Sequence, residues 1–428
     1  GGGGLPGQLP NEDRPASLKT PMTRAVGIEV TLSRATILSL EHSGKETRIL
    51  QFIEAPIPAA GEGTWEERAA ATLKAALDTG KIPRGRLVAS VDSGEAILRE
   101  ISLPFKGEEQ IRKTVRFELE SLIHNYAVED LVVAHTKTGE TEKGTLLVAA
   151  ALPKEAAGRR LKLLQAAGAD PVALDLDIAA VFSAYVHAGA IDTDAPHLLI
   201  YGTPRFTNIV FVEERRPRSI RTLRFSLGEG APSGGLIELL AREISRFLLA
   251  NAGSASPAHI LVAGDIATPE TSSQLARATG IPVRDFDLLG AVSAAPGTVP
   301  AEASPRIAAA LGLALKGAGV DPLGMDFRQD EFGYAKKFET VKSTGLVTLE
   351  LVVVLLAAVG LHLYFQNKDL RVDAQSVREY QRSLYETVSG ETLPDASGAF
   401  DKMRALFKQA QNDQGANLPV KASAREAW

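Results

Sequence analysis

The side chains able to do chemistry are few, and their spacing suits little of it. The chain has no cysteine, which removes thiolate zinc sites, iron–sulfur clusters, disulfides and a cysteine nucleophile. Its seven histidines are scattered, none in an HExxH-type pair that would put two ligands on one helical face. No GxSxG elbow or P-loop occurs. Gly228-Glu229-Gly230 approaches a dinucleotide fingerprint but has Ser233 where the third glycine is needed. Two charged features remain. Arg215, Arg216, Arg218, Arg221 and Arg224 crowd one short stretch beside Glu213 and Glu214; such a run is either a solvated rim or a dock for an acidic partner. Glu350 stands in an apolar run, where a carboxylate must snorkel to an interface or find an interhelical partner.

The composition agrees with a chain that folds but does not bind nucleic acid. At 428 residues, 45% hydrophobic and 23% charged, it has material for roughly two to three globular domains. Its net charge of -5 supplies no general attraction to a polyanion, and no long basic run compensates.

The elements that must position any site come in a repeated order. Apolar runs at Arg24–Val30, Ala35–Leu40 and Arg48–Glu54, split by turn residues such as Ser43-Gly44-Lys45, predict a β-meander. Thr64 and Glu67 have the spacing of a capping box, so a helix runs from there to Asp78, with Gly80 behind it, and a strand Leu87–Val91 follows. Strands at Ala96–Leu103, Leu131–Thr138 and Thr145–Leu152 surround a helix Glu108–His124, whose apolar positions Ile111, Val115, Leu119, Leu122 and Ile123 share one face. A helix Lys154–Ala167, a strand Val172–Leu176 and a helix from Asp177 toward His187 close the first half. A second meander, His197–Tyr201, Thr207–Val212 and Ser219–Phe225, then leads into helices at Leu236–Ala252, Pro269–Thr279 and Pro305–Lys316, with a strand at His259–Ala263. Two copies of meander-then-helices predict a duplicated, two-lobed α/β fold with a cleft between the lobes.

Beyond the lobes the composition changes. Gly345–Phe365, GLVTLELVVVLLAAVGLHLYF, is long enough at ~1.5 Å per residue to match a ~30 Å hydrocarbon core, and its Leu, Val and Phe content outweighs the ~3 kcal/mol of one central charge. A single membrane span is expected here. After it, Leu370, Val377 and Leu384, with Ala374, Gln381 and Val388, make a short heptad pattern suited to a partner helix or a second copy; Phe400–Ala410 reads as another amphipathic helix. Residues 1–21 are Gly/Pro-rich without an apolar h-region, so they read as a disordered tail and not a signal peptide. The body is therefore expected on the cytoplasmic side and the C-terminus across the membrane. The expected division is a tail 1–21, lobe 1 at 22–192 with an insert at about 96–152, lobe 2 at 193–322, a connector 323–344, the span 345–365 and a periplasmic helical segment 366–428, which breaks off in what looks like another helix at Lys421–Trp428.

The stretches GIEVTLSRATILSL, LPFKGEEQIRKTVRFELESLI, HLLIYGTPRFTNIVFV, HILVAGDIATPETSSQLARATGIPV, IAAALGLALKG and MDFRQDEFGYAKK, in this order, resemble the actin-like proteins of type IV pilus and type II secretion inner-membrane platforms, the PilM/GspL-type family. The resemblance spans roughly Arg24–Phe365. It implies a duplicated, ribonuclease H-like actin fold with a helix-containing insert in the first lobe. The implied location is the inner membrane, and the implied partners are a cytoplasmic assembly ATPase and a single-span platform protein.

The resemblance also supplies a test of nucleotide binding. Members that bind ATP carry a first phosphate loop in which a carboxylate holds magnesium-bound water and a glycine lets backbone N–H groups approach phosphate. At the matching positions this chain has Glu29 for the acid, Thr31 for the glycine and Thr36 near the basic residue. In the second loop the acid falls on Ile200, followed by Tyr201 and Gly202; in the adenosine loop Gly264 remains, followed by Asp265 and Ile266. An acidic side chain there repels phosphate. Glu29, Thr31, Gly202 and Gly264 are thus the remnants of a nucleotide cleft, or, on the plainer reading, a surface or strand-end carboxylate and ordinary turn residues. No catalysis, cofactor or metal is expected, and the protein is read as a structural scaffold. Two rivals stand beside this reading: a pilus-type ATP-binding protein fused to its membrane partner, with the MDFRQDEF segment lying in a groove of its own domain, and a membrane-tethered ATPase or kinase. The connector is otherwise expected to be exposed.

Overall fold

The computed structural model describes residues 22–413 except 45, 143, 192–193, 226–233, 252–254 and 335–338, and at 234, 339–349, 366–374, 396 and 413 the backbone alone. The expected tail 1–21, the Gly228–Gly230 motif and the helix start at Lys421–Trp428 lie outside these. The chain divides into two compact units, Gly1–Tyr334 and Ala335–Trp428.

In the first unit β1 (Thr23–Val30), β2 (Arg34–Ser43) and β3 (Glu46–Pro56) form the antiparallel meander, because each is an apolar run broken by a tight turn. α1 (Trp65–Thr79) starts at the reciprocal Thr64–Glu67 capping box, and β4 (Leu87–Val91) returns parallel to β1. The insert is β5 (Ile97–Leu103), α2 (Glu108–Leu122), β6 (Leu131–Glu140) and β7 (Thr145–Pro153), a three-stranded sheet in the order β5-β7-β6. Ile111, Val115 and Leu119 of α2 are buried against Ile101, Leu147 and Ala149. α3 (Lys154–Ala166), β8 (Ala173–Leu176) and α4 (Asp177–His187) complete the first lobe, with β8 at the edge of the large sheet.

The second lobe repeats the plan. β9 (His197–Gly202), β10 (Thr207–Glu213) and β11 (Arg216–Leu223) are antiparallel, and β12 (Ile260–Gly264) runs parallel to β9 with α5 (Gly234–Ala250) and α6 (Pro269–Thr279) alongside. The chain then adds two residues, β13 (Ser293–Ala294), beside β3 and ends in α7 (Ala308–Gly317). This helix of Ala, Leu and Gly is wedged between β1 and α4: a Cβ at Gly27 would lie 2.0 Å from the Ala310 carbonyl oxygen, and one at Gly312 1.8 Å from that of Ala180. Only glycine permits that approach.

The segment after α7 corrects one expectation. Met325 and Phe327 are not exposed; both are fully buried in the core of the first lobe. The Phe327 N–H donates to the Leu174 carbonyl oxygen at 2.7 Å, and the Leu174 N–H donates to Asp326 Oδ1 at 2.9 Å. Because β8 is an edge strand, its spare backbone groups need partners, and the connector supplies them. Arg328 locks the segment on Asp170 (2.8 Å) and on the Pro171 and Phe332 carbonyl oxygens (both 2.8 Å).

In the second unit one helix, α8 (Glu339–Ser389), covers both the expected span and the heptad segment, and α9 (Ala399–Asp413) folds back on its end through Tyr385, Leu393 and Ala399. Among the described residues no helix is long and apolar enough to cross a membrane; of the expected span, 345–349 fall outside the described side chains. The described part is exposed throughout, from Leu351 at 66% to Phe365 at 52%.

Candidate functional site

The three loops singled out by sequence meet at the carboxyl ends of β1, β9 and β12. In the β9–β12 register Gly202 lies opposite Gly264, which has φ +80°. A Cβ there would fall 2.3 Å from the Gly202 carbonyl oxygen and 2.8 Å from the Tyr201 ring. Both glycines are thus used for packing within lobe 2: Gly202 makes room for Ile266, and Gly264 for Tyr201.

The backbone donors of the loops are turned inward. At the β1–β2 turn the Thr31 N–H donates to the Arg34 carbonyl oxygen (2.9 Å) and the Arg34 N–H to Thr31 Oγ1 (3.3 Å). At the β9–β10 turn the Arg205 and Phe206 N–H groups donate to Thr203 Oγ1 (3.3 and 3.1 Å), and the Thr203 N–H donates to the Phe206 carbonyl oxygen (2.8 Å). After β12 the Asp265 N–H donates to the Gly202 carbonyl oxygen at 2.9 Å. A phosphate cradle needs such N–H groups aimed outward; here threonine side chains and neighbouring carbonyls hold them.

Side chains fill the space between. Glu29 is no surface group: it is 2% exposed, and the Tyr201 hydroxyl donates to its Oε1. Burial raises the Glu29 carboxyl to about 7, against the pull of Arg34 and of the Tyr201 hydrogen bond. Arg34 reaches across to Asp265 at 2.5 Å and lies 3.3 Å from Glu54, whose carboxylate also takes Arg306 in a two-toothed grip at 2.8 and 3.0 Å. Burial alone would lower Arg34, but the Glu29 and Asp265 carboxylates raise it instead. Thr36, expected near the basic position, is fully buried, and the cation is Arg34.

Below this layer lies a second acidic group. Asp177 accepts from the N–H groups of Ser93 (3.0 Å) and Ile178 (2.7 Å), and burial, then Asp92 and Glu29, push its carboxyl well up. Burial raises Asp92 to about 6, and the buried Arg160 donates to the Val30 carbonyl oxygen at 2.9 Å. A cavity of about 520 Å³, lined by Ser33, Arg34, Glu54, Asp265, Thr268 and Arg306, is the remaining opening. Its charged side chains are already paired with one another, Arg34 with Asp265 and Glu54 and Arg306 with Glu54. These residues do not fit an ATP–magnesium group, since the position matched to the second loop's acid is the apolar Ile200 and the carboxylates of Glu29 and Asp265 are already held by Tyr201 and Arg34.

The structure brings Glu29, Thr31, Gly202, Gly264 and Asp265, all singled out along the sequence, to one place. Sequence reasoning missed Arg34, Tyr201 in its bonding role, Asp92, Arg160 and Asp177. An Arg three residues after Thr31 was the available signal for Arg34; nothing local marks the others.

No protein-family model and no curated protein matches this sequence. Solved structures do. The chain is similar to a PilM–PilN type IV pilus biogenesis complex, with 22% identity and a TM-score of 0.60 over 69% of this chain and 98% of that one. It is also matched to the cytoplasmic domain of EpsL, an inner-membrane component of the type II secretion system of Vibrio cholerae, with 12% identity and a TM-score of 0.40 over 72% and 100% of the two chains. A Bacteroides thetaiotaomicron protein of actin-like ATPase fold and unknown function matches with 11% identity and a TM-score of 0.40 over 63% and 94%. The fold of this chain is the mixed α/β, actin-like one.

Proposed function

We propose that this protein is a non-catalytic scaffold of a type IV pilus or type II secretion inner-membrane platform, with the actin-like body as a docking block for the cytoplasmic assembly ATPase. The observation that carries the reading is the bridged cleft: Tyr201 on Glu29 and Arg34 on Asp265 join the two lobes where a nucleotide would otherwise do so. Such a body holds its shape without a ligand, which suits a part that transmits force.

Membrane attachment is part of the proposal. It is supported by the exposed apolar surface of Leu351–Phe365, broken by His362 but far more than a soluble helix leaves in water. The body then lies in the cytoplasm, and the α8–α9 end pairs across the membrane with a single-span partner or a second copy.

One observation favours a refinement. Met325–Phe332 already lies against the edge of β8, as expected of a pilus-type actin-like protein that carries the docking segment of its membrane partner in the same chain. The test is twofold. Calorimetry of the detergent-solubilised full chain with magnesium-ATP should give no saturable heat, and purification from native membranes should bring down an ATPase and a single-span protein. Micromolar, magnesium-dependent binding, or the absence of both partners, would reject the proposal.

A further inference from the structure

A second concavity, of about 700 Å³, lies away from the cleft, between the insert, the β10–β11 hairpin and the connector. One wall is a run of consecutive residues of β6, Val133 to Lys137. In the order β5-β7-β6 this strand is at the outer edge, so half its backbone groups face away from the sheet. The rest of the lining mixes apolar residues with charges of both signs, the basic ones in excess. Arg112 and Arg116 come from α2 and Arg215 and Arg216 from the hairpin, with Lys137 on β6 itself, against the acids Glu108, Glu140 and Asp321.

Existing pairs consume part of this charge. Glu108 takes Lys137 at 2.6 Å, Asp321 takes Lys316 at 2.8 Å, and Asp194 takes Arg215 at 3.3 Å. Arg112 and Arg216 are exposed and have no ion pair among the described residues. The turn that presents the hairpin arginines places Glu214 and Arg215 at φ 51° and 59°, a left-handed pair normally filled by Asn-Gly. Strained turns of this kind persist where the side chains they aim are needed.

The mouth of the concavity shows what chemistry fits. Gln329 of the docked connector donates its side-chain amide to the Val133 carbonyl oxygen at 3.4 Å and to the Asp326 carbonyl oxygen, so this carbonyl of β6 takes a donor from outside the sheet, and Asp330 pairs with Arg116. The connector turns there into a short 3-10 helix, Asp330–Phe332, whose first carboxylate answers Arg116, and the groove continues past it along β6.

We propose that this groove binds an extended acidic segment of a partner protein, added as a strand to the open edge of β6, with its carboxylates on Arg112 and Arg216. The affinity comes from main-chain hydrogen bonds and the choice of partner from charge. This site does not depend on the cleft being bridged or on membrane attachment.

The test uses the full chain in detergent micelles, immobilised, and pools of synthetic peptides about eight residues long, with Glu or Asp at alternate positions and Val, Ile, Thr or Phe between them. A matched pool carries Lys or Arg instead. The acidic pool should be enriched. In fluorescence anisotropy its best members should bind the Arg112→Glu/Arg216→Glu double variant at least about tenfold more weakly. Methylating the backbone nitrogens along one edge of such a peptide should cost about tenfold as well, because it removes the strand's donors without touching the protein. Both arginines are exposed, so the variant should melt as the wild type does. Equal capture of the two pools, or an affinity indifferent to the double reversal, would sink the proposal. So would tripolyphosphate displacing the peptides at an affinity unchanged by methylation, which assigns the groove to small anions.

Discussion

At Glu29 a proton decides how well the lobes fit together. The group is raised from 4.5 to about 7 by burial, so the folded protein binds that proton more tightly than the unfolded chain does. The cost of ionising it is absent below about pH 4.5, grows as pH rises, and levels off above about 7; the shift corresponds to ~3 kcal/mol. Glu29→Gln mimics the protonated form. It should therefore be more stable than the wild type by up to ~3 kcal/mol at pH 8 and equal to it near pH 4.5, measured by denaturant unfolding at both pH values. A difference that stays flat across that range would show that Glu29 does not titrate as its burial requires. The Arg34–Asp265 pair makes a complementary case. Removing either partner takes the nearest opposite charge from the other in a buried place, with Glu54 still beside Arg34, so Arg34→Ala and Asp265→Ala should each cost up to ~3–5 kcal/mol, and the double variant clearly less than their sum. Additive losses in the double-mutant cycle would mean that the two groups do not hold the lobes through each other.

Among the elements, the docked connector has the largest lever. Phe327 is fully buried and bonded to β8 through its N–H, so Phe327→Ala should cost ~3–5 kcal/mol. The loss should be local: hydrogen exchange at Leu174 and Phe327 should speed up while the β1–β2 pair keeps its protection. With Met325–Phe332 deleted, the vacated edge of β8 should capture a peptide of that sequence supplied in trans, and a body that ignores the peptide would show that the contact is only a fold terminus. Helix α7 is a contrasting element. Its Gly312 lies against Ala180 of α4 at a distance no side chain survives, so its place belongs to packing and not to any site.

At the scale of the whole molecule the two units differ in what they leave in water. The first buries its apolar residues in cores of its own, whereas α8 exposes Leu351–Phe365. A chain ended at Tyr334 should accordingly stay monodisperse without detergent, and the full chain should need detergent and float with liposomes in a density gradient. Equal behaviour of the two in buffer would remove the membrane from the proposed function.

What the sequence by itself determined was everything that neighbours along the chain dictate. The Thr64–Glu67 capping box and the strand Leu87–Val91 stand where the sequence puts them, as do Ile111, Val115 and Leu119 of the α2 face, though Leu122 is exposed and Ile123 caps the helix end, because caps, alternation and helical period are local quantities. Glu29, Gly202 and Gly264 were singled out along the chain, and the folded lobes bring them to one place. Only the tertiary structure decided what those residues do there. Arg34 and Asp265 are 231 positions apart and Tyr201 and Glu29 172, and whether a buried carboxylate meets a metal, a hydroxyl or a guanidinium depends on which side chains the folded lobes bring within reach. The connector was misread as exposed for the same reason: its charges looked solvated until β8 proved to have an open edge for Phe327 to cover.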